Sequence, residues 1–186
     1  MELAIVIGRA GRRIPKQDAL AHIAGWTVAH DVSARDLQFK KNGGQWLLGK
    51  TMDGFAPIGP AIVTRDEGPA FADAAALGVS TTLNGEVMQR SNTRELIFSP
   101  ADLVAFASRF CTLKPGDLIF TGTPGGVGVF RKPTPLFLKA GDEVVCTIDG
   151  IGCVRNTVAA ECAMSTRPSG AGGLAPSGTH GMFSKL

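Results

Sequence analysis

The sequence has little net charge, no long apolar run and no closely paired cysteines, and each shortage removes a class of function. A formal net charge of +3, with no basic stripe and no repeated aromatic platform, argues against a nucleic-acid partner. No apolar segment approaches the roughly 20 residues of a membrane-spanning helix, so no membrane partner is expected. Cys111, Cys146, Cys153 and Cys162 have neither the spacing of a zinc site nor the density of a disulfide scaffold, and reduced thiols in an intracellular protein are expected. Met1 leads directly into Glu2 and a strand-like run, so no signal or transit segment is expected at this end. The stretch 122–128 (GTPGGVG) lacks the Lys-Ser/Thr ending of a phosphate-binding loop and precedes no clear helix, which leaves a nucleotide reading weak.

What is present is an ordinary globular composition. The 186 residues are 44% hydrophobic and 19% charged, enough for one domain with a sizeable core, and 24 glycines point to many turns. From Ala159 onward glycine, serine, proline and threonine dominate, with little to bury. The expected organisation is therefore one domain over residues 1–158 and a disordered tail over 159–186, with no role for His180.

Leu3 to Ile7 reads as a buried strand closed by Gly8. Pro15 then precedes an expected helix over Lys16–Ala24, with apolar Ala19, Leu20 and Ile23, His22 on its face and Gly25 as its stop. Trp26 to Asp31 returns as a strand, and Ala61 to Thr64 follows an extended, proline-broken link, Phe55–Pro60. Asn84-Gly85 between Val79–Leu83 and Glu86–Arg90 is a two-residue hairpin signal, because both turn positions require positive φ. Ser99-Pro100-Ala101-Asp102 opens a helix to about Phe110, whose Leu103, Phe106 and Phe110 recur at core-facing spacing. A strand over Leu118–Thr121 feeds the 122–128 loop. A second hairpin turns at Asp149-Gly150, and a two-residue turn there would set Cys146 opposite Cys153 in cross-strand packing.

The chemistry concentrates in Ala29 to Gln38, AHDVSARDLQ, at the end of a strand. Asp31 and Asp36 offer hard oxygens, Arg35 can fork onto a carboxylate, and Gln38 can donate and accept. That mixture suits a small anionic ligand, with or without a metal; a strand ending in a solvated charged turn fits the same composition. Lys50, after Trp46–Gly49, either snorkels to solvent or is held over a pocket. Thr123 offers a hydroxyl within a glycine-rich loop that serves equally as a sharp structural turn.

Taken together and in order, ELAIVIGR, AHDVSARDLQ, LLGKTMDGFAPIGP, LNGEVMQ and FTGTPGGVGVF resemble the fumarylacetoacetate hydrolase (fumarylacetoacetase) family, from Glu2 to about Val158. VAHDVSARD, QWLLGKT and GTPGGVGVFRKP are most similar to its branch of domain-containing proteins. The resemblance implies a mainly β fold with a few helices, a mixed β-roll or sandwich, and a homodimer, mitochondrial or cytoplasmic. It implies Mg²⁺ or Mn²⁺, with Ca²⁺ in some members, held by three carboxylates. Two of these form a Glu-x-Glu pair and the third is the first aspartate of Asp-x-Ser-Ala-Arg-Asp. Glu2 matches the second glutamate and Asp31 the aspartate, while the first glutamate would fall one residue before Met1. By the same resemblance Arg35, Gln38 and Lys50 are the catalytic and substrate contacts, and Thr123 binds the substrate carboxylate.

Those residue types suit a small 2-oxo acid such as oxaloacetate or an acylpyruvate, which can chelate a hard cation through keto oxygen and carboxylate. Breaking the adjacent C–H or C–C bond moves charge onto the keto oxygen, where a metal and the cations of Lys50 and Arg35 stabilise the enolate. Hydrolysis further needs an activated water, and the family's His-Glu pair for it lies upstream of the Glu-x-Glu strand; neither His22 nor His30 matches it. Strand alternation places His30 on the face opposite Asp31, in core or surface packing. Oxaloacetate keto-enol tautomerisation is therefore the expected activity. The alternatives are C–C hydrolysis, oxaloacetate decarboxylation, and a catalytically impaired chain that only pairs with a complete partner.

Overall fold

A computed structural model describes residues 1–41 and 43–160, so the expected tail lies almost wholly outside the described residues. The strands are β1 (Glu2–Ile7), β2 (Ile23–Ala29), β3 (Ile58–Thr64), β4 (Gly78–Leu83), β5 (Glu86–Asn92), β6 (Leu118–Phe120), β7 (Glu143–Ile148) and β8 (Gly152–Thr157). Two helices, α1 (Lys16–Ala19) and α2 (Pro100–Phe110), join them. Two four-stranded sheets, ordered β3-β2-β1-β6 and β5-β4-β7-β8, are antiparallel at every named pair, a mainly β fold with few helices.

The core explains the hydrophobic patterning. β1 is buried at all six positions, as its continuous apolar run requires. β4 and β7 alternate strictly, turning Val79, Thr81 and Leu83, and Val144, Cys146 and Ile148, inward. Trp26 is fully buried and its indole N–H donates to the Phe71 carbonyl at 2.7 Å. A capping box of Ser99 and Asp102 opens α2.

Antiparallel pairing also decides where the chain's polar residues meet. Glu2 at the head of β1 lies opposite Ala29 at the end of β2, so the carboxylate sits beside the segment that carries Asp31. β6 pairs with β1 in the opposite direction, Ala4 with Phe120, and so delivers Gly122 and Thr123 to the same end.

Three expectations fail here for identifiable reasons. The helix expected over Lys16–Ala24 stops at Ala19 and tightens to a 3₁₀ turn, Leu20–His22, because β2 begins at Ile23 and pairs with β1. Gly25 is a strand residue, not a stop: a Cβ there would come within 2.3 Å of the Val63 carbonyl oxygen on β3. On α2, Pro100, Val104 and Ser108 are buried and Leu103 packs partly against the core, while Phe106 and Phe110 are 60% and 67% exposed and stack edge-on at 5.1 Å. Ser108 explains the rotation, since its Oγ accepts the Ile14 N–H at 2.9 Å and its carbonyl accepts the Arg13 N–H at 2.7 Å. The Asp149-Gly150 hairpin contains a third loop residue, Ile151, whose side chain is buried. Ile148 therefore pairs with Gly152, and Cys146 faces Val154 instead of Cys153. Cys111, Cys146 and Cys153 are all free thiols.

Candidate active site

The ends of β1, β2, β5 and β6 surround a cavity of about 540 Å³. All six residues singled out from the sequence, Glu2, Asp31, Arg35, Gln38, Lys50 and Thr123, line it.

Asp31 and Lys50 form the central contact. The Lys50 ammonium donates to Asp31 Oδ2 and, at 2.7 Å, to Ser33 Oγ, so the lysine is held over the cavity. Its place follows from the 3₁₀ turn Leu47–Gly49, which ends with Lys50 N–H donating to Leu47 O at 2.9 Å. Glu2 Oε2 accepts the Gly122 N–H at 2.6 Å, tying the start of β1 to the loop after β6. Burial pushes the Glu2 carboxyl above its usual range; the Gly122 hydrogen bond opposes this and the nearby Asp31 charge adds to it.

Arg35 and Gln38 act as a pair on the turn after Asp31. Arg35 Nη1 donates to Gln38 Oε1 at 2.7 Å, and the guanidinium lies 5.8 Å from the centre of the Phe39 ring. Burial lowers the Arg35 pKa, offset in part by Asp31. Gln38 is completely buried, and its Nε2 has no hydrogen-bond partner, leaving a donor that a ligand could satisfy. Asp36, by contrast, is ion-paired to Lys41 at 2.8 Å. Thr123 is the most open of the set, and its Oγ1 accepts from Gln89 Nε2 at 2.9 Å.

β2 ends at Ala29, the Val32 N–H folds back onto the His30 carbonyl at 2.9 Å, and His30 is among the residues that line the cavity. Burial, reinforced by the Met1 ammonium, pushes its pKa down to about 3, so the imidazole is neutral at pH 7. His22 is buried in its turn, with Nδ1 2.9 Å from the Arg9 carbonyl oxygen. Sequence reasoning gave no role to Ser33 or Gln89. Both lie inside motifs already singled out, AHDVSARDLQ and LNGEVMQ.

Whether a divalent cation fits can be judged from the carboxylates. Glu2 and Asp31 each commit one oxygen to a protein donor, and among the described residues no donor meets the other. Two free hard oxygens in one cavity suit Mg²⁺ or Mn²⁺, which commonly use one or two carboxylates with water and substrate completing the shell. Among the described residues no group of three or more His, Cys, Asp or Glu side chains could hold a metal by itself.

A family model described as fumarylacetoacetate (FAA) hydrolase C-terminal matches residues 1–159. An oxaloacetate tautomerase of Xenopus laevis, named as mitochondrial, is 57% identical over 157 residues, covering 84% of this chain and 48% of that protein. The fumarylacetoacetate hydrolase of Exiguobacterium antarcticum is 43% identical with a TM-score of 0.79, covering 86% of this chain and 55% of that one. A fumarylpyruvate hydrolase of Pseudomonas aeruginosa, solved with Mn²⁺ and pyruvate, is 37% identical with a TM-score of 0.74, covering 85% and 64%. The chain spans about half the length of the curated relatives it matches. No helix among the described residues is long and apolar enough to cross a membrane.

Proposed function

This chain belongs to the fumarylacetoacetate hydrolase family, and from that premise we propose that it acts on oxaloacetate or a similar small 2-oxo acid as a divalent-metal-dependent keto-enol tautomerase. The observation that carries the reading is the convergence of Glu2, Asp31, Arg35, Gln38, Lys50 and Thr123 on one cavity, with Lys50 bridging Asp31 and Ser33. Residues 1–158 form the catalytic domain in this reading. The names of the relatives further support a mitochondrial location, and the homodimer remains part of the proposal.

Glu2 and Asp31 would hold Mg²⁺ or Mn²⁺ through their uncommitted oxygens. When bound, such an ion supplies Lewis-acid stabilisation of an enolate oxygen. Arg35, Gln38 and Thr123 bind and orient the substrate carboxylates: Arg35 brings charge, Gln38 its unpartnered Nε2–H, and Thr123 its hydroxyl. Lys50 places an ammonium where negative charge grows as the enol O–H proton passes to solvent, and its Nζ is the group positioned to hand a proton to the carbon and regain one from solvent. Pairing to Asp31 and Ser33 fixes that ammonium before the substrate arrives.

The test is ketonisation of enol-oxaloacetate, followed by loss of enol absorbance, with Mn²⁺ and with EDTA, and with Asp31→Ala as control. A metal-dependent rate that the variant loses is expected. A wild-type rate no greater than the EDTA blank would overturn the assignment and favour a chain that acts only as a dimer partner.

A further inference from the structure

Gln89 is a buried side chain to which nothing above assigns a task, yet all its hydrogen-bonding capacity is spent at the cavity. It lies on β5 opposite Thr81, and the register slips there: Thr81 pairs with Gln89 and Thr82 with Val87, so Met88 is an extra residue. Such a bulge re-aims side chains. Met88 and Gln89, adjacent in sequence, consequently both line the cavity.

The orientation of the Gln89 amide follows from its partners. The Pro124 carbonyl, 2.8 Å from one amide atom, can only accept, so that atom is Nε2. The Met1 nitrogen, 3.0 Å from the other, can only donate, so that atom is Oε1, which also accepts the Thr81 hydroxyl at 2.8 Å. Both constraints agree. The second Nε2 hydrogen is then directed at Thr123 Oγ1, 2.9 Å away, and the threonine oxygen must accept it. A hydroxyl that accepts from Gln89 keeps its own hydrogen for something else, and Thr123 lines the cavity.

We propose that Gln89 is a positioning residue, which fixes the Thr123 hydroxyl as a hydrogen-bond donor into the cavity and so selects a carboxylate oxygen as its ligand. The inference rests on the anion-binding role given to Thr123 above. It explains why an amide, with one acceptor and two donors, occupies this position: a carboxylate here would reverse the hydroxyl and cancel its donor.

The experiment has two arms on the full chain. In the first, NMR of the Gln89 side-chain amide compares wild type with Thr123→Val. Loss of the Thr123 acceptor should shift one Nε2 hydrogen and speed its exchange with water; unchanged signals would overturn the contact whether or not the chain binds any ligand. In the second, calorimetry measures oxalate binding in the presence of Mn²⁺. Thr123→Val should weaken it roughly 10- to 100-fold, the range of one hydrogen bond to a charged group. Gln89→Glu should weaken it as much or more while its added carboxylate leaves Mn²⁺ affinity undiminished, and Gln89→Met, which adds no charge, separates the orientation of the hydroxyl from that charge. Should that variant fail to fold, Gln89→Met serves, and Gln89→Met with Thr123→Val should bind no more weakly than Thr123→Val alone. Independent, additive losses would indicate a merely structural glutamine and overturn the proposal. No Mn²⁺-dependent oxalate binding by wild type would overturn the function reading and the carboxylate role together, whereas wild-type binding that Gln89→Glu leaves intact would overturn only the part given to Gln89.

Discussion

Acid should destabilise this protein through His30, by an amount that can be worked out. His30 lines the cavity, and burial, with the Met1 ammonium as the second cause, holds its pKa at about 3 against the ordinary value of 6.5. Between those values the unfolded chain binds a proton that the folded chain refuses, so stability is greatest above the unfolded pKa and declines as pH falls toward the folded one. One proton of difference corresponds to about 1.4 kcal/mol per pH unit. At pH 4.5, two units below the unfolded value, this one ring should therefore cost about 3 kcal/mol, a large share of the roughly 5–15 kcal/mol that stabilises a typical domain. The perturbation is His30→Asn, which keeps a polar side chain of similar reach and does not titrate in this range. Urea unfolding from pH 7.5 to 4.5 should give wild-type and variant curves that run parallel above pH 7 and diverge below 6.5, with wild type losing the additional stability. Parallel curves throughout, or a His30 ring that titrates near 6.5 by NMR, would refute the reasoning.

The remaining expectations concern the cavity. Asp31→Ala should abolish Mn²⁺ binding and leave the fold intact, with an unfolding cost of about 1 kcal/mol because the Lys50 pair it breaks is partly open to water; undiminished Mn²⁺ affinity by titration would contradict it. Lys50→Met should lower turnover by more than it lowers Mn²⁺ affinity, since the proposed function gives Lys50 to the substrate and not to the metal; steady-state kinetics beside a metal titration show the split, and the reverse pattern would remove Lys50 from that role. Gly126→Ala should destabilise the loop by roughly 1–3 kcal/mol and weaken oxalate binding, because φ is +104° there and a Cβ would approach the Met88 carbonyl oxygen to 2.2 Å. Wild-type stability and affinity in that variant would show that the loop can relax. Mn²⁺ affinity should rise with pH through the raised range of Glu2, because the carboxyl must release its proton to serve as a ligand, and a pH-independent affinity would argue that Glu2 is not one.

Much of this arrangement was legible from local chemistry. Asn84-Gly85 fixed its hairpin because both residues take the positive φ that the turn demands, 50° and 83°. Ser99 and Asp102 likewise announced the start of α2. What local pattern could not supply was competition from distant partners. Ala19, Leu20 and Ile23 have helical spacing, yet Ile23 is claimed by β1. Phe106 and Phe110 outrank Val104 and Ser108 in hydrophobicity, but the Ser108 contacts with Arg13 and Ile14 turn the smaller face inward. Ile151 joins the core and adds a residue to a loop that Asp149-Gly150 alone would close in two. At the site, the motifs were visible in sequence, whereas the inward turn of Gln89 was not, because the bulge at Met88 leaves no mark in residue type.

The charges gathered in the cavity explain why metal and substrate should arrive together. Among the charged side chains that line it, Glu2, Asp31 and Asp36 bring three carboxylates and Arg35, Lys50 and Arg131 three cations, and formally they cancel. A divalent cation alone would leave a partly buried site with two surplus positive charges, facing the Lys50 ammonium that already holds one oxygen of Asp31. A dicarboxylate alone would leave the opposite surplus. A dication and a dianion together restore neutrality, and in a cavity less polar than water that balance matters more than any single contact. The raised pKa of Glu2 points the same way: desolvation is its largest cause and the charge on Asp31 adds to it, so the carboxylates sit at a cost that a bound cation relieves. Oxalate should accordingly tighten Mn²⁺ binding, and by linkage Mn²⁺ should tighten oxalate binding by the same factor. A site that only braced the fold would have no reason to leave the buried Gln38 amide nitrogen without a partner.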